Sequence, residues 1–274
     1  MLELKKNFFW ISQLKKDFLI DYSYKISFFG QFFGILVTAI SFFFISETFS
    51  ESNNKHLEEF NNDYFIFATI GIATLDIVIS IMRALTISLR EAQSFGYVEM
   101  LFISRVSASY IFLCSSLYPC LKSIFKFIVY IFFVQLIGDQ DFLPMSLLIS
   151  CLLFIFMIIP FLALSFLALS FVLYFKQADP INFIINLIVS IFSGILYPVS
   201  VLPTFMQNIS NLIPLTKQLN SIRFVLINNS VDEYLFSYLF FIHFLFSIVL
   251  FFICLKVFKI TINIVKKRGT ISNY

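Results

Sequence analysis

The chain has 274 residues, of which 59% are hydrophobic and only 13% charged, with a mean hydropathy of +0.92 and a net charge of +3. Soluble domains carry about 45–50% apolar and about 25% charged residues, so this composition defines an integral membrane protein and excludes a soluble enzyme or a nucleic-acid-binding module. With seven glycines and no GxxxxGK[ST] run the chain has no phosphate loop of its own. His56 and His243 stand far apart outside any HExxH arrangement, and Cys114, Cys120, Cys151 and Cys254 sit in apolar runs without metal-ligand spacing. No catalytic residue, metal site or bound cofactor is expected.

Residues 1–25 place Leu4, Phe8, Ile11, Leu14 and Phe18 at helical spacing, with Lys5, Lys6, Lys15 and Lys16 between them. The pattern predicts an amphipathic helix in the membrane interface, anchored by Trp10; the plainer reading is a positively charged flank of the first span. It lacks the small-residue cleavage site of a signal peptide.

Crossing about 30 Å of hydrocarbon at 1.5 Å per residue takes about 20 apolar residues. Six segments qualify. The first two are Ile26 to Ser46 and Tyr64 to about Leu89, both within 26–89. The next two are Ser107 to Ile137 and Leu143 to Phe175, within 107–182. The fifth starts near Ile181 and breaks at Tyr197-Pro198 and Pro203, within 183–233; the sixth runs from Tyr234 to Leu255 and leads into a basic tail, within 234–274. The loop from Glu47 to Asp63 and the turn from Gly138 to Asp141 are too short for an ectodomain, and one membrane domain covers 1–274. The expected fold is an all-α bundle of six transmembrane helices.

Lysine and arginine are retained on the cytoplasmic face. Most of the 19 in this chain lie in segments that cytoplasmic termini would leave inside, and only Lys55, Lys217 and Arg223 lie outside. Both termini and residues 90–106 are therefore expected in the cytoplasm. That segment, with Arg90, Glu91, Phe95, Gly96, Glu99, Met100, Leu101 and Phe102, is expected to form a short helix at the membrane surface. Its acidic and apolar side chains would serve a soluble partner; a plain solvated loop is the competing reading.

Three features within the membrane stand out. Gly30 and Gly34 form a GxxxG, which lets helices approach closely and suits either a dimer contact or packing inside the chain. Pro198, Pro203 and Pro214, with Tyr197, interrupt helix near the outer leaflet and predict short half-helices there. Asp76, Arg83, Lys122 and Lys126 are charges within spans, where such groups face a partner or a watery path. Asp76 and Lys122 stand at similar distances from inner ends at Leu89 and Ser107, about 20 Å at 1.5 Å per residue, and are expected to pair. Lys126 then has no carboxylate at its level and would either snorkel to the interface or suit an anionic head group. His243 on its apolar helix is expected to be a hydrogen-bonded packing residue.

The order of these parts resembles the permease subunit of type-2 ABC exporters. Gly96-Tyr97-Val98-Glu99-Met100-Leu101 after Arg90-Glu91 is similar to the family's coupling-helix pattern, with Tyr97 in place of threonine and Arg105 where a proline commonly follows. The stretch Ser193 to Pro198, Leu202-Pro203, Ile213 to Thr216 and Ile222-Arg223 is similar to the family's re-entrant stretch between spans five and six. The resemblance implies a homodimer of permeases in a bacterial inner membrane, with a dimer contact at spans one and five. It also implies separate ATPase subunits that bind ATP and Mg and push on the coupling helix, an extracellular gate at Tyr197, Pro198, Pro203 and Pro214, and outward export of a lipid-linked glycan, a lipid or a drug-like amphiphile. A membrane-embedded enzyme lacks the clustered His, Asp or Glu it would need, and a scaffold or assembly subunit without transport activity is the alternative.

Overall fold

The computed structural model describes residues 9–49, 63–138, 142–176, 179–228 and 238–268, and every element in them is helical. In chain order these are α1 (Phe9–Ser23), α2 (Lys25–Phe49), α3 (Tyr64–Ser94), α4 (Val98–Ile103), α5 (Ala108–Ile137) and α6 (Pro144–Phe175). They are followed by α7 (Asp179–Phe192), a 3-10 turn (Val199–Val201), α8 (Thr204–Leu212), α9 (Pro214–Asn228) and α10 (Tyr238–Arg268). Leu4, Lys5, Lys6, His56, most of the loop from Glu47 to Asp63, the turn after Gly138, the expected start of span six at Tyr234 and the end of the tail lie outside the described residues.

Five helices, α2, α3, α5, α6 and α10, are long and apolar enough to cross a membrane. The chain is thus an all-helical protein of membrane-spanning architecture. The expected fifth span is not among these five: α7 has 14 described residues, about 21 Å at 1.5 Å per residue, where a crossing takes about 20 residues. The chain there turns at Gly194, whose φ of +68° is open to glycine and strained for other residues. The last helix is longer than expected and carries Lys266, Lys267 and Arg268 in its final turn, where cations complement the helix dipole.

Helix α3 is the axis of the bundle. It packs against α2, α5, α6, α7 and α9, and most of its side chains from Phe65 to Ala92 are buried. Helix α10 lies along α6, while α1 lies across α5. With no hydrophobic gain between helices in lipid, such contacts rest on close packing. At the end carrying the basic tail, Phe258 meets Phe112 edge-on at 5.7 Å and Phe166 at 5.5 Å; deeper in, Phe127 stacks on Phe154 at 4.1 Å.

Candidate functional site

Between α1, α2, α3 and α5 lies a cleft of about 620 Å³. Helical periodicity builds each wall. On α3, Asp76, Ser80, Arg83, Ile87 and Glu91 recur every three or four residues and form one stripe facing away from the core. Gln13, Asp17 and Asp21 do the same around α1, with Tyr24 just after it, and Ser115, Tyr118, Lys122 and Lys126 along α5. Pro119 in α5 offers no N–H to the Ser115 carbonyl, which loosens the helix beside the cleft.

The ion pairs in the cleft differ from the expected one. Lys126 Nζ lies 2.9 Å from an Asp76 carboxylate oxygen, and Lys122 donates to Asp21 instead. Asp76 with Lys122 is therefore not the pair, and Lys126 is not the unpaired cation. The reason is where α3 ends. It continues past Leu89 to Ser94, taking Arg90 and Glu91 into the helix, so Asp76 lies as far from Ser94 as Lys126 lies from Ala108. Both are about 27 Å from that end at 1.5 Å per residue.

Asp21 is the residue that sequence reasoning missed. It accepts hydrogen bonds from Lys122 and, at 2.5 Å, from the Tyr118 hydroxyl, fastening α1 to α5. Burial works to raise its carboxyl, but the hydrogen bonds from Lys122 and Tyr118 together with the charges of Lys122 and Lys126 outweigh it and the net direction is down. The signal was present: Asp17 and Asp21 are one turn apart on the same face of α1.

At the basic end, the segment after α3 is a tight turn and a single short helix. Gly96 adopts a φ of +73°, and the Tyr97 amide returns to the Ala92 carbonyl at 3.0 Å. Two faces follow. Val98 and Phe102 are buried, and the Phe102 carbonyl accepts from Lys266 at 2.8 Å, so Phe102 is part of the protein's own core rather than of a docking face. Leu101 leans on the same core, whereas Phe95, Met100 and Ile103 are 78%, 76% and 81% exposed, with Glu91 and Glu99 also exposed. Ile103 was not anticipated.

At the opposite end, Arg223 of α9 is fully buried. Its guanidinium donates to the Gly194 carbonyl at 2.7 Å, the Ile195 carbonyl at 2.7 Å and the Phe67 carbonyl at 2.9 Å, and stands 3.5 Å over the Phe67 ring. It binds α9 and the break after α7 to α3. Gly71 makes room for this: a Cβ there would come within 2.1 Å of the Ile195 oxygen and 2.5 Å of Arg223 Nη2. A lone arginine amid Ile222, Phe224, Val225 and Leu226 was the readable sign.

Around this clamp, the Tyr197 hydroxyl donates to the Ile191 carbonyl at 2.6 Å and Tyr64 donates to the Leu196 carbonyl at 3.2 Å. Pro198 precedes the 3-10 turn, Pro203 precedes α8 and Pro214 begins α9, so each proline marks a helix start as expected. Asn208 is exposed and Ile195 is completely buried. Gly30 and Gly34 face open space with nothing within 4 Å of an added Cβ, so they do not serve packing inside the described chain. His243 is half-buried, with its Nε2 3.3 Å from the Asn211 carbonyl, and the four cysteines are free. Compared with known proteins, the chain matches no family model and no curated protein. Fold and site together define a helical membrane protein with a charged cleft between α1, α2, α3 and α5.

Proposed function

We propose that this chain is the permease subunit of a type-2 ABC exporter, moving a lipid-linked glycan, a lipid or a drug-like amphiphile outward with work supplied by a separate ATPase subunit. The observation that carries this reading is the segment from Glu91 to Ile103. Three large apolar side chains, Phe95, Met100 and Ile103, project from it beside Glu91 and Glu99, while Val98 and Phe102 root the same short helix in the core. A surface of that kind takes a groove on a soluble partner. Its rooted side passes a push to α3 and, through Phe102 and Lys266, to α10.

In this reading both termini face the cytoplasm of a bacterial cell and the basic tail of α10 is retained there. Two copies pair around a path, with the open face of α2 at Gly30 and Gly34 available to the second copy. ATP and Mg reside on the partner ATPase. The cleft then receives cargo from the inner side, and α7 to α9, clamped by Arg223, close the outer end.

Reversing both charges with Glu91→Lys and Glu99→Lys is expected to abolish co-purification of the ATPase subunit, or to leave it bound with hydrolysis uncoupled from transport, at normal membrane insertion. Unchanged complex and unchanged coupled hydrolysis would sink the reading. For the outer closure, a cysteine at Asn208 in a background freed of the four native cysteines should react with a membrane-impermeant maleimide added outside, and one at Ile195 should not. Equal labelling of the two would mean a plain solvated loop.

A further inference from the structure

The walls of the cleft carry the cations Lys16, Arg83, Lys122 and Lys126. Three of them are matched: Lys16 lies 3.5 Å from Asp17, Lys122 pairs with Asp21, and Lys126 pairs with Asp76. Arg83 is exposed to the cleft and has no ion-pair partner among the described residues. Asp76 and Glu91, the carboxylates on its own stripe, are each about 10–12 Å away along the axis at 1.5 Å per residue, and neither forms an ion pair with it. The residue lies about 17 Å from the basic end of α3 by the same rise, a depth at which an unmatched charge is expensive and marks a ligand or a path.

We infer that Arg83 anchors a phosphate-binding site in this cleft. A guanidinium presents a planar fork that meets two phosphate oxygens at once, and it stays charged at every physiological pH. The remaining donors are of the right kind. Tyr24 and Ser27 offer hydroxyls, and Gln31 offers an amide, from the wall facing α3. A phosphate has more oxygens to share among such donors than a carboxylate has. Ile20, Ile79 and Ile87 line the same space, which fits a phosphate carried on an apolar chain. The inference deepens the exporter reading and rests on it only for the view that the occupant is cargo.

The test uses the full chain in phosphatidylcholine nanodiscs, with phosphatidate, oleate and inorganic phosphate as probes. Phosphatidate should bind saturably and outcompete oleate, and Arg83→Gln should weaken it about tenfold to a hundredfold, as expected for losing hydrogen bonds to a charged group. Arg83→Lys, which keeps the charge but not the fork, should fall between. On the unaltered chain, phosphatidate should protect Arg83 from an arginine-specific dicarbonyl reagent, a readout that no failure of a variant to fold can mimic. Competition by inorganic phosphate would assign recognition to the phosphate alone, and its absence would assign it to the lipid head group; either supports the site. Undiminished binding in Arg83→Gln, oleate binding as tight as phosphatidate, or unprotected Arg83 would overturn it. Co-purification of the ATPase is scored separately, so Arg83-dependent binding in a chain that captures no ATPase would leave the site standing and remove the exporter reading.

Discussion

Gly71→Ala should leave little correctly folded protein in the membrane, although alanine is the mildest replacement and a good helix former. The added methyl would lie 2.1 Å from the Ile195 oxygen and 2.9 Å from its carbon, which are backbone atoms that no rotamer change can move aside. Overpacking a filled core costs about 1–3 kcal/mol and occasionally more, and a clash with fixed backbone falls at the top of that range. Monodispersity after detergent extraction and the temperature of half-aggregation report the loss. Gly30→Ala and Gly34→Ala are the controls; with nothing within 4 Å, they should leave the single chain unaffected.

Arg223→Met should be comparably damaging for a different reason. It removes the side-chain donor that the Gly194, Ile195 and Phe67 carbonyls share in a dry interior, and each buried acceptor left unmet costs about 1–3 kcal/mol. Arg223→Lys should restore only part of this, since one ammonium cannot reproduce the fork that spans α3 and the break after α7. Combining Gly71→Ala with Arg223→Met should not rescue folding, because the Ile195 contact remains. A stable double variant would show that the glycine serves only the guanidinium.

A further large effect is expected at the membrane charges, where removal of one partner should be worse than removal of both. Asp76→Asn strands Lys126, whose side chain is only 11% exposed, and Lys126→Met strands Asp76 at 35%. Breaking a buried pair costs about 3–5 kcal/mol, with the lower end fitting a carboxylate that keeps some exposure. Expression and thermal stability of Asp76→Asn, Lys126→Met and the double should show recovery in the double. Asp76→Asn with Lys122→Met should show none, because Lys122 belongs to Asp21. Rescue by Lys122→Met and not by Lys126→Met would contradict the observed pairing.

The legibility of each part in the sequence depended on the range of the interaction that fixes it. The spans of α2, α3, α5 and α6 were readable because an uncharged run of sufficient length is a local property that hydrocarbon thickness selects. The turn at Gly96 and the prolines before the 3-10 turn, α8 and α9 were readable for the same reason, since φ restrictions act within a residue or two. The presence of charges inside the membrane was also plain from sequence. Their partners were not.

Choosing Lys126 over Lys122 for Asp76 required knowing that α3 runs five residues past Leu89, and a shift of little more than one helical turn exchanges one lysine for the next. Asp21 and Tyr118 met only because α1 folds back across α5, and Arg223 found its three carbonyls only because α9 returns to α3 beside Gly71. Composition and periodicity determined that this chain is a bundle of membrane-spanning helices and which residue types would be under electrostatic stress within it. The tertiary structure decided which of those charges are neutralised, and so left Arg83 facing the cleft as the cation without a carboxylate among the described residues. Ion pairing depends on distances of a few ångströms between segments far apart in the chain, and no local pattern encodes them.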